Sequence, residues 1–404
     1  MRRLLLLALV ASIALLAPAR AQTAPQLPDL QQADALGADL FVKSGSTGMV
    51  LVVVRDKEVF FHGYGETAPG SGQLPSEKSI LRLCSLSKIF ATDLLVKLLQ
   101  DQLVRLDDPL QRFAPPKTVV PKKPGHPITL ADLATHTSGL SREVGRAPHG
   151  TPHFTFPDYK YRWHWLPAQH LRTVPGSAAL YSNVGFDLLG DALEHAAHLP
   201  YATLLAERTT SPLGMHETGF TPNPAQCARL LLGAHDEGPC TDTQSSAGSA
   251  GLYSTATDMV VWLKYLLGTA APAIPAQNPA AQAVYVLPAN LKSTQGLDHA
   301  GDPTGIGLGW LHLLPPDDPS TIIEKTGGGA GFLTYIALNQ ARHTGIFIAL
   351  TDGAIETHLN VFKEANNLLL TLAGLPPLPP EAPKRPAKSA RKPARKLATK
   401  GATP

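Results

Sequence analysis

The sequence predicts an α+β fold, with one sheet assembled from both chain ends, flanking helices and a mostly helical lobe between them. Three observations predict it. Apolar, β-branched runs occur early, at 49–54 and 58–64, and return late, at 306–313, 321–325, 332–338 and 344–350. The intervening stretch, 86–290, reads as helical and loop-like segments. The 404 residues, 44% of them apolar, suffice for a core shared by two lobes.

The elements follow in chain order. Residues 1–21 read as a secretory signal. Arg2 and Arg3 precede an apolar run, 4–16, too short to span a bilayer, and Ala19-Arg20-Ala21 fits a small-x-small cleavage site, so the mature chain begins at Gln22. Residues 29–43 fit an amphipathic helix carrying Leu30, Ala33, Leu36, Leu40 and Phe41, with Lys43-Ser44-Gly45 as its C-terminus. Arg55-Asp56-Lys57 links the two early strands. An α/β lobe takes residues 29–85 and 295–373, a helical lobe takes 86–294, and the cleft between them is the expected site. The last helix is expected at 357–372. Residues 375–404 hold eight Lys or Arg, eight Pro and one acid, Glu381, and are expected to be a disordered tail. The formal charge of +3 therefore hides a folded part, 22–374, of −7, which offers no broad basic face for nucleic acid.

Ser85-Leu86-Ser87-Lys88 opens the apolar run 89–99, of helix length. Positions i and i+3 share a helix face, so the Ser85 hydroxyl and the Lys88 amine can meet. A serine hydroxyl is a poor nucleophile until a neighbour takes its proton, and a helix N-terminus favours negative charge developing there. A second Ser-x-x-Lys, Ser389 to Lys392, lies in the tail, which positions nothing. Tyr181-Ser182-Asn183 is the sole Tyr-x-Asn in the chain; it follows the turn signal Pro175-Gly176 and precedes a helical stretch, 184–193. Lys325-Thr326-Gly327 ends a strand candidate and enters a glycine run through Gly329, which permits close approach to a ligand.

Ser-x-x-Lys, Tyr-x-Asn and Lys-Thr-Gly in this order resemble the class C β-lactamase and low-molecular-weight penicillin-binding protein family. Supporting phrases are LDDPL at 106–110, ITLADLATHTSGL at 128–140, PGSAALYSNVGFDLLG at 175–190 and AGLYSTATD at 250–258. The similarity spans about residues 30–373. Within the family the chain is similar to the AmpH-type D-alanyl-D-alanine carboxypeptidase/endopeptidases. The resemblance implies a serine β-lactamase/DD-peptidase-like fold with an antiparallel sheet. It implies that Ser85 attacks an acyl carbon and that Lys88 and Tyr181 move protons, without settling which is the base. Asn183 would hold the substrate amide, and Lys325, Thr326 and Gly327 would line the site of its carboxylate. The backbone N–H groups of Ser85 and Gly328 would form the oxyanion hole. The implied substrates are peptidoglycan stem peptides and β-lactams, with no cofactor and no metal.

Together with the signal, this gives a periplasmic serine DD-carboxypeptidase/endopeptidase that hydrolyses β-lactams slowly at most. The alternative is a class C-type β-lactamase, followed by an esterase and a non-catalytic β-lactam or muropeptide sensor. The basic tail suits contact with an anionic membrane or cell wall. Oligomeric state is left open. In an oxidising compartment Cys227 and Cys240 can pair, whereas Cys84 is expected as a small buried hydrophobe. Phe154, Phe156, Tyr159, Tyr161, Trp163 and Trp165 form either a cleft rim or a satellite cluster. His149 and His153 lack the partners of a metal site, and His136 is expected to be structural.

Overall fold

A computed structural model describes residues 27–235, 238–271, 276–297, 300–352 and 359–378. The signal at 1–21 and the tail from 379 lie outside them. The early apolar runs become β1 (Gly48–Arg55) and β2 (Glu58–Gly65). The turn between them is only Asp56 and Lys57, with Asp56 in the left-handed region at φ 52°. Strands β3 (Ile80–Arg82), β4 (Ala179–Leu180), β5 (Tyr253–Thr255) and β6 (Thr294–Gln295) are short. The late group comprises β7 (Gly305–Ile306), β8 (Leu311–Leu313), β9 (Ile322–Gly329), β10 (Phe332–Asn339) and β11 (Thr344–Thr351). Seven strands form one antiparallel sheet in the order β2-β1-β11-β10-β9-β8-β7. β1 pairs with β11 from Met49 opposite Leu350 to Arg55 opposite Thr344, which joins the two ends of the chain.

All eight residues of β1 are buried because both sheet faces are covered. Met49, Leu51 and Val53 join one core with Ala33 and Leu40 of α1 (Gln32–Ser44) and Phe362, Ala365 and Leu369 of the last helix. Val50, Val52 and Val54 join the other with Phe90 and Leu94 of α2 (Ser87–Gln100). Alternation thus places successive side chains in two cores. α1 ends at Gly45, in the left-handed conformation a helix C-terminus favours (φ 65°).

The insertion carries α3 (Leu130–Ala134), α4 (Tyr159–Trp165), α5 (Asn183–Ala197), the short α6 (Tyr201–Leu205), α7 (Ser211–Leu213) and α8 (Pro224–Cys227), and α9 (Ala256–Leu266). α10 (Leu359–Leu372) closes the fold; the expected start at 357 lies outside the described residues. α2 is buried almost all round, so its apolar run shows no polar face, and Phe90 stacks on Trp262 of α9 with ring centres 4.0 Å apart.

Several expectations are corrected. The run 306–313 is two strands: the chain turns at 307–310, where Gly309 takes φ 74° and its N–H reaches the Ala134 carbonyl. Besides its helices, the stretch expected to be mostly helical, 86–294, carries the short strands β4 and β5: β5 pairs with β3 and β4 pairs in parallel with β6. The strand bearing Lys325 does not end at the glycines but runs through them to Gly329. The stretch expected to be disordered from 375 starts with packed residues, for Leu375 and Leu378 lie against the α1/α10 core. The expected pairing of Cys227 with Cys240, by contrast, is present as a disulfide across a sequence separation of 13.

Candidate active site

Ser85 lies on a 3₁₀ turn, Cys84–Leu86, that leads directly into α2, not within the helix itself. The preceding Cys84 is buried and holds a left-handed backbone, φ 51°, which costs a non-glycine residue energy and sharpens the turn. Its thiol lies 3.3 Å from the Gly329 carbonyl oxygen. The turn is pressed against β9: a Cβ on Gly327 would come within 2.8 Å of the Leu83 carbonyl oxygen and collide with Thr334 Oγ1. Thr334 Oγ1 itself donates to the Leu83 carbonyl. A side chain at Gly327 would thus separate the strand from the serine's turn.

Lys88, one helical turn on, is fully buried and gathers three oxygens. Its Nζ lies 3.2 Å from Ser85 Oγ, 2.7 Å from Asn183 Oδ1 and 2.7 Å from the Ser249 carbonyl oxygen, and 4.8 Å from the centre of the Tyr181 ring. Burial pushes the Lys88 amine below its ordinary value. Lys325 acts in the same direction, while Tyr181 and Asp187 oppose it. Ser85 is 8% exposed, so the hydroxyl sits at the edge of this dry pocket.

The Tyr-x-Asn spacing has a local cause. Ser182 is the extended N-cap of α5, and its Oγ accepts the Gly185 N–H. An extended residue places its two neighbours on one side, so Tyr181 and Asn183 both face Lys88. Lys325 is buried on β9, with Nζ 5.3 Å from the centre of the Tyr181 ring. Thr326 follows it, and Gly328 is half-buried. Ser85, Lys88, Tyr181, Asn183, Lys325, Thr326 and the glycines are thus brought together, and the Cys227–Cys240 disulfide stands apart from them in chain and contacts.

Four further residues complete the arrangement. His136 stacks on Tyr181, ring centres 4.3 Å apart, and its Nδ1 accepts the Ser182 N–H. Burial, with Lys88, Lys325 and Arg142 nearby, holds its imidazole well below the usual range, so it is neutral. Arg142 places its guanidinium 4.5 Å from the Tyr181 ring centre, and Glu143 accepts from Asn183 Nδ2 at 2.5 Å. Ser249 supplies the carbonyl already described. Their signal in the sequence was the phrase they share with the motifs, HTSGLSRE and GSAGLYST, which assigns them no role. Of the aromatic segment, Phe154 reaches the site, its ring edge 3.0 Å from where a Gly329 Cβ would lie. Trp163 is buried in the core, and Tyr159 and Tyr161 are exposed. Two sizeable cavities, of about 360 and 290 Å³, are lined mainly by other residues. No group of three metal-ligating side chains occurs among the described residues.

Chemically, the cluster presents a hydroxyl beside a desolvated amine, with a second amine and a phenol within reach. That set can take a proton from the hydroxyl and bind an anionic group.

Residues 28–359 match the sequence family described as Beta-lactamase. The chain is 41% identical over 340 residues to the Escherichia coli K12 protein named D-alanyl-D-alanine-carboxypeptidase/endopeptidase AmpH, covering 84% of this chain and 88% of that one. It superposes on the crystal structure of a Yersinia pestis Beta-lactamase/D-alanine Carboxypeptidase complexed with citrate. That match has a TM-score of 0.80 and 38% identity, over 85% of this chain and 99% of that one. A class C β-lactamase shares the fold at TM-score 0.67 and 20% identity, over 83% and 94% of the two chains. With fold, motif order and relatives in agreement, the chain belongs to the β-lactamase family.

Proposed function

We propose that the chain is a periplasmic serine DD-carboxypeptidase/endopeptidase that cleaves peptidoglycan peptides through an acyl-enzyme on Ser85. The observation that carries the reading is the buried Lys88 amine 3.2 Å from Ser85 Oγ, with its proton affinity reduced by burial. Ser85 Oγ attacks the carbonyl carbon of a D-alanyl-D-alanine end while its proton passes to the Lys88–Tyr181 pair. The pair returns the proton to the leaving D-alanine amine, and water then releases the acyl group. Asn183 holds the substrate amide, and Lys325 and Thr326 bind the terminal carboxylate. The backbone N–H groups of Ser85 and Gly328 receive the oxyanion; such a donor is typically worth about 10²–10³ in rate. Residues 1–21 direct export, and the basic tail binds anionic envelope surfaces.

The second reading is a β-lactamase, favoured by the Yersinia pestis relative, whose name carries both activities. Acylation is common to the two. A β-lactam's opened ring stays attached and obstructs the deacylating water, whereas D-alanine departs and vacates its place. The Lys325 carboxylate site argues against an esterase, and the presence of Lys88 and Tyr181 argues against a non-catalytic sensor. The test compares kcat/KM for a pentapeptide muropeptide and a cephalosporin. Muropeptide turnover with a long-lived cephalosporin acyl-enzyme is expected; rapid cephalosporin hydrolysis without muropeptide cleavage would reverse the reading.

A further inference from the structure

Three cations surround the ring of Tyr181, and the mechanism uses two of them. Lys88 Nζ stands 4.8 Å from the ring centre, Lys325 Nζ 5.3 Å, and the guanidinium carbon of Arg142 4.5 Å. Lys88 and Lys325 are buried and engaged, the second donating to the Thr326 carbonyl at 2.9 Å. The Arg142 side chain is 55% exposed and donates no hydrogen bond among the described residues. The neighbouring carboxylate, Glu143, has its Oε1 3.7 Å from Arg142 Nε, beyond hydrogen-bond length. That oxygen already accepts from Asn183 Nδ2 at 2.5 Å.

Arg142 is nonetheless held in place. Its backbone carbonyl receives the N–H groups of Asn183 and Val184, at 2.9 and 3.3 Å, which ties it to the first turn of α5. Its guanidinium rests against the Tyr181 ring, as cations do on aromatic faces. Its Nη1 lies 3.7 Å from where a Gly296 Cβ would be, and a glycine adds no side chain to cover it. An arginine fixed through its backbone and its ring contact, with its N–H groups uncommitted, has the form of a carboxylate site.

We propose that Arg142 is a specificity-determining residue that binds a second carboxylate of the substrate, so that ligands carrying two carboxylates are preferred. In the function proposed above, Lys325 and Thr326 take the terminal carboxylate and Asn183 takes the amide. Arg142 adjoins Asn183, so the group it meets lies on the amide side, away from the terminal carboxylate. The ligand class is a D-alanyl-D-alanine peptide with an acidic side chain just upstream, or a penicillin with a carboxylate beside its side-chain amide. Net charge works against such ligands, because residues 22–374 sum to −7. A preference for added negative charge therefore comes from a local cation.

This inference rests on the Ser85 reading above, and its test uses two matched pairs of ligands. In one pair of peptides, the residue before D-alanyl-D-alanine is glutamate or glutamine, and kcat and KM are compared. The other pair is carbenicillin and benzylpenicillin, which differ by one carboxylate beside the side-chain carbonyl, and second-order acylation rates are compared. The wild type is expected to favour the ligand with the added carboxylate by about 5- to 10-fold in each pair, less as salt rises. In the peptides the difference should fall on KM, since it reflects binding rather than the chemical step. Arg142→Gln should abolish the preference, Arg142→Lys keep part of it, and Arg142→Glu invert it. The penicillin pair decides alone if neither peptide is cleaved. Equal rates within a reacting pair in the wild type, or a preference that survives in Arg142→Gln, would overturn the inference and leave the Ser85 reading standing. A wild type acylated by neither penicillin and cleaving neither peptide would overturn both.

Discussion

Lys88 Nζ lies 4.8 Å from the centre of the Tyr181 ring, so the amine and the phenol side chain adjoin. Lys325 Nζ stands 5.3 Å from the same ring. Under the proposed mechanism, proton movement at Ser85 belongs to a pair of groups under the influence of a second cation, and loss of a proton by either member would serve the serine.

The sign of a pH effect follows. Lys325 lowers the proton affinity of Lys88. Lys325→Met removes that charge, so the pair keeps its proton to higher pH. The acid limb of the acylation rate, measured against pH at saturating penicillin, should move to higher pH. An acid limb that stays in place would contradict the electrostatic role of Lys325.

Gly327 is where β9 meets the turn that carries Ser85. In Gly327→Ala the added methyl group meets the Leu83 carbonyl and Thr334 Oγ1, and β9 must move away from the turn that carries Ser85. The expected result is an acylation rate lower by about 10²-fold, from misplacement at the reacting centre. Tm should also fall, because overpacking a buried site costs about 1–3 kcal/mol, but the protein should still fold, since the rest of β9 stays paired with β10 from Thr326 opposite Tyr335 to Ile323 opposite Leu338. Rate measurements paired with thermal melts check this; an undiminished rate would show that the close approach is dispensable.

Arg162 and Asp191 are both buried and paired through two N–H bonds, and Trp163 Nε1 donates to the same carboxylate at 2.8 Å. Arg162→Met leaves Asp191 as an uncompensated buried charge and should cost about 3–5 kcal/mol in denaturant unfolding. The Arg162→Met/Asp191→Leu double variant should recover most of that loss. A double variant as unstable as the single one would contradict the ion-pair account.

Much of this architecture was legible in the chain. β1, β2, β10 and β11 follow from apolar runs, and the two-faced burial of β1 explains why its run is continuous rather than alternating. The three motifs were legible because each sits on a local device: Ser85 ahead of α2, Ser182 capping α5, Lys325 on a strand. What the sequence concealed depends on contacts between distant segments. The glycines after Thr326 read as a strand end, but they pair with Phe332 to Thr334 of β10 and extend the strand, with the Leu83 carbonyl close against Gly327. The apolar pattern at 306–313 hides a turn because Gly309 is needed in the left-handed region beneath Ala134. Glu143 on Asn183, and Ser249 on Lys88, acquire their meaning only once loops far apart in the chain converge.

The most direct test of the account is the mass and location of a penicillin adduct. Intact mass after incubation with penicillin should show a single penicilloyl group. Fragmentation of the tryptic peptide 83–88 should place it on Ser85, and Ser85→Ala should carry none while melting as the wild type does. An adduct that persists in Ser85→Ala, or that maps to Cys84 or outside this peptide, would contradict the central claim.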